Sequence, residues 1–271
     1  MKNILYIGVV IMFLFSGCDT PKNKIPSGVF YGVSGNKYLK IMNFKEDKYE
    51  IIKFSESFNP KGITRINNEL LLLTFFNRDM KVFNIKTKEI VSWNNSRGNP
   101  IYFSKYNRII LGTFMLDFNY PEKEEIKIPY TNENSKNISF TLKISEDEVL
   151  YMKEQQGIWI YNLGTKEVKK ISNFYCSEPF WRSNTNQLVC KDYKNNNFYL
   201  SSLDGNKTEI IELEYRFKPS IYLDDLDAVI GERKGIGFPD GKWEIWIYYF
   251  KKNKLYKLKR GASAIKLVRF N

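Results

Sequence analysis

Short apolar runs separated by polar turns repeat along residues 28–270 with a period of about 40 residues. Pro60, Pro100, Pro179 and Pro219 mark the repeat at intervals of 40, 79 and 40 residues, and one unmarked repeat begins near Ser139. After each of these positions an apolar segment, a polar turn and a second apolar segment follow in order. This order predicts one β-hairpin at the start of every unit.

A second hairpin occupies the later half of each unit. Six apolar strands run into turns of Lys, Asn, Gly and Asp residues, and these strands end at Phe44, Ile85, Phe118, Leu163, Leu203 and Phe250. Within them apolar side chains recur at every second residue, as in Trp159, Tyr161 and Leu163. Two hairpins per repeat give four short strands, which is the pattern of a β-propeller blade.

The two ends of the chain complete each other in this interpretation. Residues 28–54 supply only three strands, and the segment 263–268 has the character of the missing one. We therefore predict an all-β fold, a six-bladed β-propeller over residues 28–271, closed by a C-terminal strand that joins three N-terminal strands. Its inward side chains would be one of two alternating sets: Ile265, Leu267 and Phe270, or Ala264, Lys266 and Val268. A β-sandwich, or two small β domains, is the alternative for such uneven spacings.

The whole pattern resembles the divergent propellers of exported bacterial proteins, of the TolB and YncE kind. The resemblance implies an architecture only. WD dipeptides, kelch glycines and NHL signatures are absent from the sequence, so it implies no functional residue.

The N-terminus has the pattern of an export signal. Lys2 precedes an apolar run from Ile4 to Phe15, and Ser16 and Gly17 lead into Cys18. The run is too short to span a bilayer, which needs about 20 helical residues. The stretch from Phe15 to Cys18 resembles the lipobox of bacterial lipoproteins, with Phe15 where the family usually has Leu.

That resemblance implies a domain order and a location. Residues 1–17 would be the cleaved signal peptide, and residues 18–27 the lipidated N-terminus and tether. Cys18 would carry a diacylglycerol and an acyl chain such as palmitate, so that the membrane is its first partner. Two or more chains hold a protein stably at a membrane. The propeller would face the periplasm, or the outer surface of a single-membrane host, and Asp19 favours the inner membrane of a Gram-negative host.

Composition narrows the possible chemistry. The chain has no histidine, which excludes Ser-His-Asp and Cys-His catalysis and His-ligated zinc. Its formal net charge is +12, and it is +11 without residues 1–17. Such a charge is typical of nucleic-acid binding, but an exported protein does not normally meet nucleic acid. We expect no cofactor, no resident metal and no catalytic residue.

Two charged segments have alternative interpretations. Residues 242–269 contain nine basic residues and a single acid, Glu244. Lysines on an exposed outer strand block edge-to-edge aggregation, and this interpretation is favoured over a patch for anionic lipid headgroups. Asp224, Asp225 and Asp227 offer oxygen ligands to Ca²⁺, but they stand where a polar turn is needed anyway.

Cys176 and Cys190 leave the question of a disulfide open. A hairpin turning near residues 184–186 would place residue 181 opposite residue 190, with Cys176 well up the strand. That offset exceeds the roughly 7 Å limit on the Cα separation of a disulfide, so the register disfavours a bridge unless the linker bends.

The candidate functional residues lie in the longer connections. In a four-stranded blade, the connections between units and the loops between second and third strands emerge on one face. Large aromatic and Arg side chains, which dominate protein interfaces, gather there: Phe58, Arg97, Tyr175, Tyr215, Arg216 and Phe238. The pattern favours a non-enzymatic protein that binds another envelope protein on this rim. Two alternatives are an immunity lipoprotein that neutralises a secreted antibacterial toxin, and a carbohydrate-active enzyme that uses carboxylates.

A single substitution tests the anchor. Cys18→Ser removes the thiol that would carry the lipid, so we expect the protein to leave the membrane fraction and to lose metabolic labelling by a fatty-acid analogue. A Thr20→Ser control, two residues further along the same segment, should retain both properties. Undiminished label in the Cys18→Ser protein would contradict the lipoprotein interpretation.

Overall fold

The computed structural model describes residues 25–34, 38–53, 60–75, 79–95, 100–112, 114–119, 123–125, 138–153, 157–172, 176, 179–192, 195–203, 208–213, 216–234, 243–259 and 266–270. Most of this part of the chain is β-strand. The helices within it are short 3₁₀ turns, at Ser104–Tyr106, Ser183–Thr185, Asp224–Leu226 and Phe250–Lys252. None of them has the length and apolarity that a membrane-spanning helix requires.

The described strands form six antiparallel sheets of four strands each. In chain order they are β1 (Val29–Ser34), β2 (Tyr38–Asn43), β3 (Lys48–Lys53), β4 (Pro60–Arg65), β5 (Leu70–Phe75), β6 (Asp79–Asn84), β7 (Ile90–Asn95), β8 (Ile101–Phe103), β9 (Arg108–Leu111), β10 (Phe114–Asp117), β11 (Lys123–Glu125), β12 (Ile138–Lys143), β13 (Glu148–Lys153), β14 (Gly157–Asn162), β15 (Val168–Ser172), β16 (Pro179–Arg182), β17 (Gln187–Asp192), β18 (Asn197–Ser202), β19 (Thr208–Glu212), β20 (Phe217–Leu223), β21 (Ala228–Lys234), β22 (Trp243–Tyr249), β23 (Lys254–Lys259) and β24 (Lys266–Phe270).

Each sheet is one blade, and its strands are called A to D. Blade 1 consists of β24, β1, β2 and β3, and blades 2 to 6 take the remaining strands four at a time in chain order. Every A strand contacts the A strands of the blades on both sides, and the last of these contacts joins β20 to β24. The A strands therefore form a closed inner ring, which confirms the six-bladed propeller and shows that the β-sandwich alternative is wrong.

The hydrophobic core is divided among the gaps between blades. Each of six buried clusters joins two adjacent blades. Phe30 of blade 1 packs against Ala228 and Ile247 of blade 6, whereas Tyr31, its neighbour in sequence, packs toward Leu71 of blade 2. Successive side chains of a strand point to opposite faces of its sheet. Because another blade covers each face, they enter the gaps on opposite sides of the blade.

The C-terminal strand closes the ring as predicted. β24 pairs with β1 in antiparallel register from Val29 opposite Phe270 to Val33 opposite Lys266. Leu267 and Phe270 are buried, whereas Lys266 is exposed. Leu267 and Phe270 of the first predicted set enter the cores on opposite sides of the blade, and Val268 of the second set packs partly buried against the core toward blade 2, so neither set alone faces the interior. Ile265 and Ala264 lie outside the described residues, within which this strand is Lys266–Phe270.

A glycine permits this closure. Gly28 has φ of +90°, and a Cβ atom there would lie 2.4 Å from the carbonyl oxygen of Phe270. Both the backbone conformation and the close approach therefore require glycine. Arg269 fixes the same junction, since its Nε donates to the Ser27 carbonyl at 2.8 Å.

The structure corrects the expectation for the two cysteines. Cys176 and Cys190 form a disulfide with a Cα separation of 5.3 Å. The 3₁₀ turn at Ser183–Thr185 shifts the hairpin register by two residues, so Pro179, not residue 181, stands opposite Cys190. Cys176 is then only three residues from the paired position, and both cysteines are buried in the core between blades 4 and 5.

Removing the closing strand tests the ring. Deletion of residues 262–271 leaves blade 1 with three strands and an open inner edge, and it uncovers parts of two inter-blade cores. We expect aggregation, or a loss of the cooperative thermal transition, rather than a local effect. A truncated protein that melts within a few degrees of the parent would contradict closure.

A milder variant probes the same junction without truncation. Gly28→Ala must destabilise the fold through both the positive φ and the clash with Phe270. Gly112→Ala is the matched control, because Gly112 also has a positive φ, +62°, but nothing lies within 4 Å of its Cβ position. Urea unfolding should show a clearly larger loss for Gly28→Ala, with the control losing only about 1–2 kcal/mol.

Candidate interaction surface

The blade topology divides the molecule into two faces. The A–B and C–D turns emerge on one, here called the turn face, and the B–C loops and the connections between blades emerge on the other, the loop face. The described turns on the turn face are short and polar, such as Lys86–Glu89 and Gly164–Glu167. The loop face is the one that carries the connections predicted to bind a partner.

Of the six predicted rim residues, the structure describes Arg216. Arg216 is exposed and directly precedes β20 on the loop face. The others lie outside the described residues: Phe58, Arg97, Tyr175, Tyr215 and Phe238. The described strands before and after these segments end and begin on the loop face. Cys18 also lies outside the described residues.

Buried charge is concentrated in the loop-face half of the described strands. Eight polar or charged residues are buried in the described chain, and six stand toward the loop face: Lys40, Thr74, Lys191, Glu232, Arg233 and Glu244. Burying a charge is costly unless partners compensate. These residues therefore require a network of contacts, and sequence analysis did not single them out.

Blade 6 holds the densest part of this network. The guanidinium carbon of Arg233 lies 4.4 Å from the ring centroid of Trp246. The indole Nε1 of Trp246 donates to a carboxylate oxygen of Glu244 at 3.0 Å, and the Lys257 ammonium donates to the other oxygen at 3.0 Å. The arrangement holds an arginine, a tryptophan and a carboxylate in fixed positions on the loop-face side of one blade.

The charged set extends into blade 1. Lys40 lies on β2, opposite Gly32 and Ile51 of the adjacent strands. Burial lowers the pKa of Lys40, and the negative charge of Glu232 on blade 6 acts in the opposite direction. The two side chains therefore interact electrostatically across the gap that the closing strand seals.

Blade 5 carries a separate buried lysine on the same side. The Lys191 ammonium donates to the side-chain oxygen of Asn196 at 2.8 Å and lies 5.3 Å from the ring centroid of Phe198. The Asn196 amide in turn donates to the carbonyl of Leu213 at 2.6 Å. These contacts fix the B–C loop to the end of the blade.

One sequence signal marks these buried charges. Each stands near the loop-face end of an otherwise apolar strand, as in Leu188–Lys191 or Ala228–Glu232. A charged residue that directly follows apolar residues within a strand, and does not belong to a turn, indicates that the charge is buried. Such a charge needs a partner from another segment of the chain. The identity of that partner depends on blade packing.

Two carboxylates in the A–B turn of blade 6 are paired with arginines of the neighbouring blades. Arg182 of blade 5 forms a two-pronged pair with Asp227 of blade 6, with both N–O distances 2.7 Å, and Tyr222 donates to the same carboxylate at 2.9 Å. Arg269 of blade 1 pairs in the same way with Asp225, at 2.7 and 2.9 Å. These carboxylates therefore act as links between blades, in place of the calcium ligands considered from sequence.

Two other carboxylates of the described chain line one cavity. A cavity of about 560 Å³ between blades 4 and 5 includes Glu148 and Glu167 in its lining. Glu148 lies 3.5 Å from the Ser145 hydroxyl, and Glu167 accepts a hydrogen bond from the Thr165 hydroxyl at 3.2 Å. Within the described part of the chain, no group of three or more His, Cys, Asp or Glu residues is arranged to hold a metal ion.

Comparison with known proteins yields relatives in structure only. No family model matches the sequence, and no curated protein matches it. The crystal structure of TolB from Acinetobacter baumannii superimposes with a TM-score of 0.67 at 11% identity, covering 90% of this chain and 66% of that one. The chain is similar in fold to TolB.

Two other structures show how widely the fold is shared. A chain of the nidogen/laminin complex matches with a TM-score of 0.65 at 5% identity, over 89% of this chain and 97% of that one. Oligogalacturonate lyase in complex with manganese matches with a TM-score of 0.56 at 12% identity, over 89% and 80% of the two chains. Identities this low establish a common fold and leave function to the site itself.

The pair between Arg182 and Asp227 gives a pH-dependent prediction. Burial by itself would raise the pKa of Asp227. The hydrogen bonds from Arg182 and Tyr222, together with the positive charge of Arg182, outweigh burial and lower this pKa. A carboxylate with a lowered folded-state pKa contributes stability that is present at neutral pH and is lost as the pH falls through that value. The side chains of Arg182 and Asp227 are 12% and 6% exposed, so this pair is shielded from solvent.

Asp227→Asn should therefore destabilise the protein by about 3 kcal/mol at pH 7, because it leaves a buried arginine without its counter-charge. The difference from the parent should shrink as the pH falls below about 4. Urea unfolding across this pH range measures both effects. Glu69→Gln, which removes an exposed pair with Lys86, is the control and should change stability little at any pH. A constant difference for Asp227→Asn would contradict the electrostatic explanation.

Proposed function

We propose that this chain is a non-enzymatic lipoprotein of the bacterial cell envelope whose propeller binds another envelope protein through its loop face. Lipid on Cys18 holds it to the membrane, and the chain folds in the periplasm, or outside a single-membrane cell. The export signal and the fold similarity to TolB support this location.

The observation that carries the proposal is the unequal distribution of buried charge between the two faces. A face of the propeller that has only a structural role needs apolar residues in its strands and polar residues in its turns, and it needs no buried charges. The loop face instead holds Arg233 against Trp246, with Glu244 fixed beside them. Arg233 and Glu244 are buried, so they would hold the loop-face end of blade 6 rigid beneath a partner, and a surface that is fixed in advance loses less freedom on binding.

Arg216 adds an exposed cation to the same face, directly before the first strand of blade 6. Its neighbour Phe217 is buried in the core between blades 5 and 6. The backbone beneath Arg216 is thereby anchored, while its side chain is exposed where a partner would bind. Complementarity to such a surface favours a partner that presents carboxylates beside aromatic or aliphatic groups.

The enzymatic alternative depends on carboxylates, because a chain without histidine has no imidazole base. A carboxylate-based glycosidase requires two carboxyl groups about 5–9.5 Å apart across an open cleft. Glu148 and Glu167, which line the cavity between blades 4 and 5, contact hydroxyl groups of their own turns. Both acids therefore stabilise their own turns, and catalysis by these two acids of one cavity is the alternative that the next experiment tests.

Recovery of the partner is the direct test. The lipidated protein, crosslinked in its own cells and purified by affinity, should bring down one envelope protein in stoichiometric amount. The Cys18→Ser protein, displaced from the membrane, should recover less of it. Recovery of polysaccharide fragments together with measurable turnover would favour the enzymatic alternative.

A substitution scan then locates the interface. Alanine replaces each predicted rim residue in turn: Phe58, Arg97, Tyr175, Tyr215, Arg216 and Phe238. At least one should cost about 2 kcal/mol or more in affinity, which is about thirtyfold in Kd. Controls on the turn face should have little effect when affinity is measured in solution without a membrane: Lys86→Ala, Lys88→Ala, Lys166→Ala and Lys252→Ala. Losses confined to these lysines would place the interface on the opposite face.

A further inference from the structure

The chain enters the propeller at a defined point on the turn face. Arg269 holds Ser27 through two hydrogen bonds, from Nε to the carbonyl at 2.8 Å and from a terminal nitrogen to the hydroxyl at 3.0 Å. The same guanidinium pairs with Asp225 in the A–B turn of blade 6. Residues 25–28 are therefore fixed at the turn-face junction of blades 6 and 1.

This entry point limits how the propeller sits on a membrane. Ile25 follows Cys18 by seven residues in the sequence. A fully extended chain spans at most about 3.6 Å per residue, so Ile25 stays within about 25 Å of the lipid-bearing residue. A lipid on Cys18 therefore keeps the junction of blades 6 and 1 close to the bilayer.

The C–D turn of blade 6 adjoins the A–B turn at this junction, because the Phe250 N–H donates to the Asp227 carbonyl at 3.1 Å. Asp225 and Asp227 of the A–B turn are paired with Arg269 and Arg182, although Asp227 also interacts with the charge of Lys251.

The described C–D turns of blades 1, 2 and 4 each contain a carboxylate next to their lysines, at Glu46, Glu89 and Glu167. The turn of blade 6 instead contains Lys251, Lys252, Asn253 and Lys254, all exposed, and no acid. Each basic residue near an anionic membrane strengthens binding about fivefold.

Apolar groups accompany these lysines along the outer part of the same gap. Tyr49 and Ile51 on the outermost strand of blade 1 are 36% and 49% exposed. Tyr49 stands opposite Met42, which packs against blade 6, so the tyrosine faces blade 6 as well. Lys252 and Lys254 lie 5.8 and 5.6 Å from the ring of Tyr256, which packs into the core of this gap. Tyrosine, aliphatic and lysine side chains together are typical of a membrane–water interface.

We propose that the turn-face junction of blades 6 and 1 is the membrane-facing surface of the anchored propeller, with Lys251, Lys252 and Lys254 bound to anionic phospholipid headgroups. This orientation directs the loop face away from the bilayer toward its partner. It rests on the lipid at Cys18 proposed above, and it is independent of the identity of the partner. It also gives the basic segment of residues 242–269 a role beyond protection of a strand edge.

Photocrosslinking to lipid tests the orientation. The full-length lipidated protein is placed in vesicles of phosphatidylglycerol mixed with phosphatidylcholine, with p-benzoylphenylalanine in place of Lys252. The matched control carries the same probe in place of Lys166, in the C–D turn of blade 4 on the far side of the ring. We expect at least about fivefold more crosslinked phospholipid from position 252. Equal labelling at both positions, or a protein adduct at position 252, would overturn the proposal.

Charge reversal separates the lysine patch from the tether. With the probe at position 252, Lys251→Glu together with Lys254→Glu should reduce lipid labelling about tenfold or more in phosphatidylglycerol vesicles. Lys169→Glu with Lys170→Glu in blade 4 is the control and should leave it unchanged. Equal losses in both double variants would overturn the assignment of the patch.

Flotation of the same vesicles distinguishes this proposal from the anchor on which it rests. If the protein fails to float with lipid, the anchor and the orientation fail together. If it floats and labels equally at positions 252 and 166, the anchor stands and only the orientation fails.

Discussion

The pairing of β24 with β1 is the contact on which the rest of the structure depends. Each hydrophobic layer lies between two blades, so a ring with one open gap would leave two apolar faces in water. Leu267 covers the core toward blade 6, and Phe270 covers the one toward blade 2. The last strand of the chain thereby completes both layers. It also removes the inner edge of blade 1, which would otherwise be free to pair with another chain.

Closure also determines which charges meet. Lys40 of blade 1 and Glu232 of blade 6 come into range only across the sealed gap, and the pair between Arg269 and Asp225 spans the same junction on the opposite face. The two faces use charge differently. On the turn face, ion pairs join neighbouring blades and anchor the incoming chain. On the loop face, Arg233 and Lys191 each lie beside an aromatic ring of their own blade, and Lys40 and Glu232 interact across one gap, so these charges hold the loop-face ends of the blades in place.

The solved structures of similar fold have unlike names, from a TolB to a lyase bound to manganese and a chain of the nidogen/laminin complex. The packed blades of a propeller position a circle of connecting loops. The packing of the inner strands does not depend on the sequence of those loops. Function is therefore best sought at residues whose burial lowers the stability of the propeller. In this chain such residues are Lys40, Lys191, Glu232, Arg233 and Glu244, since apolar side chains would pack there without the cost of burying charge.

The sequence by itself determined the repeat, the four strands per unit and the closure, because alternation and turn chemistry are local properties that survive in the order of residues. It also located Arg216 on the loop face, and the lipid on Cys18 stays a prediction. Only the tertiary structure decided the disulfide, because a 3₁₀ turn at Ser183–Thr185 moved Cys190 by two register positions. The ion pairs between blades could likewise not be predicted from the sequence. Arg182 and Asp227 are 45 residues apart, and which charge faces which is settled only when packed blades bring one repeat against the next.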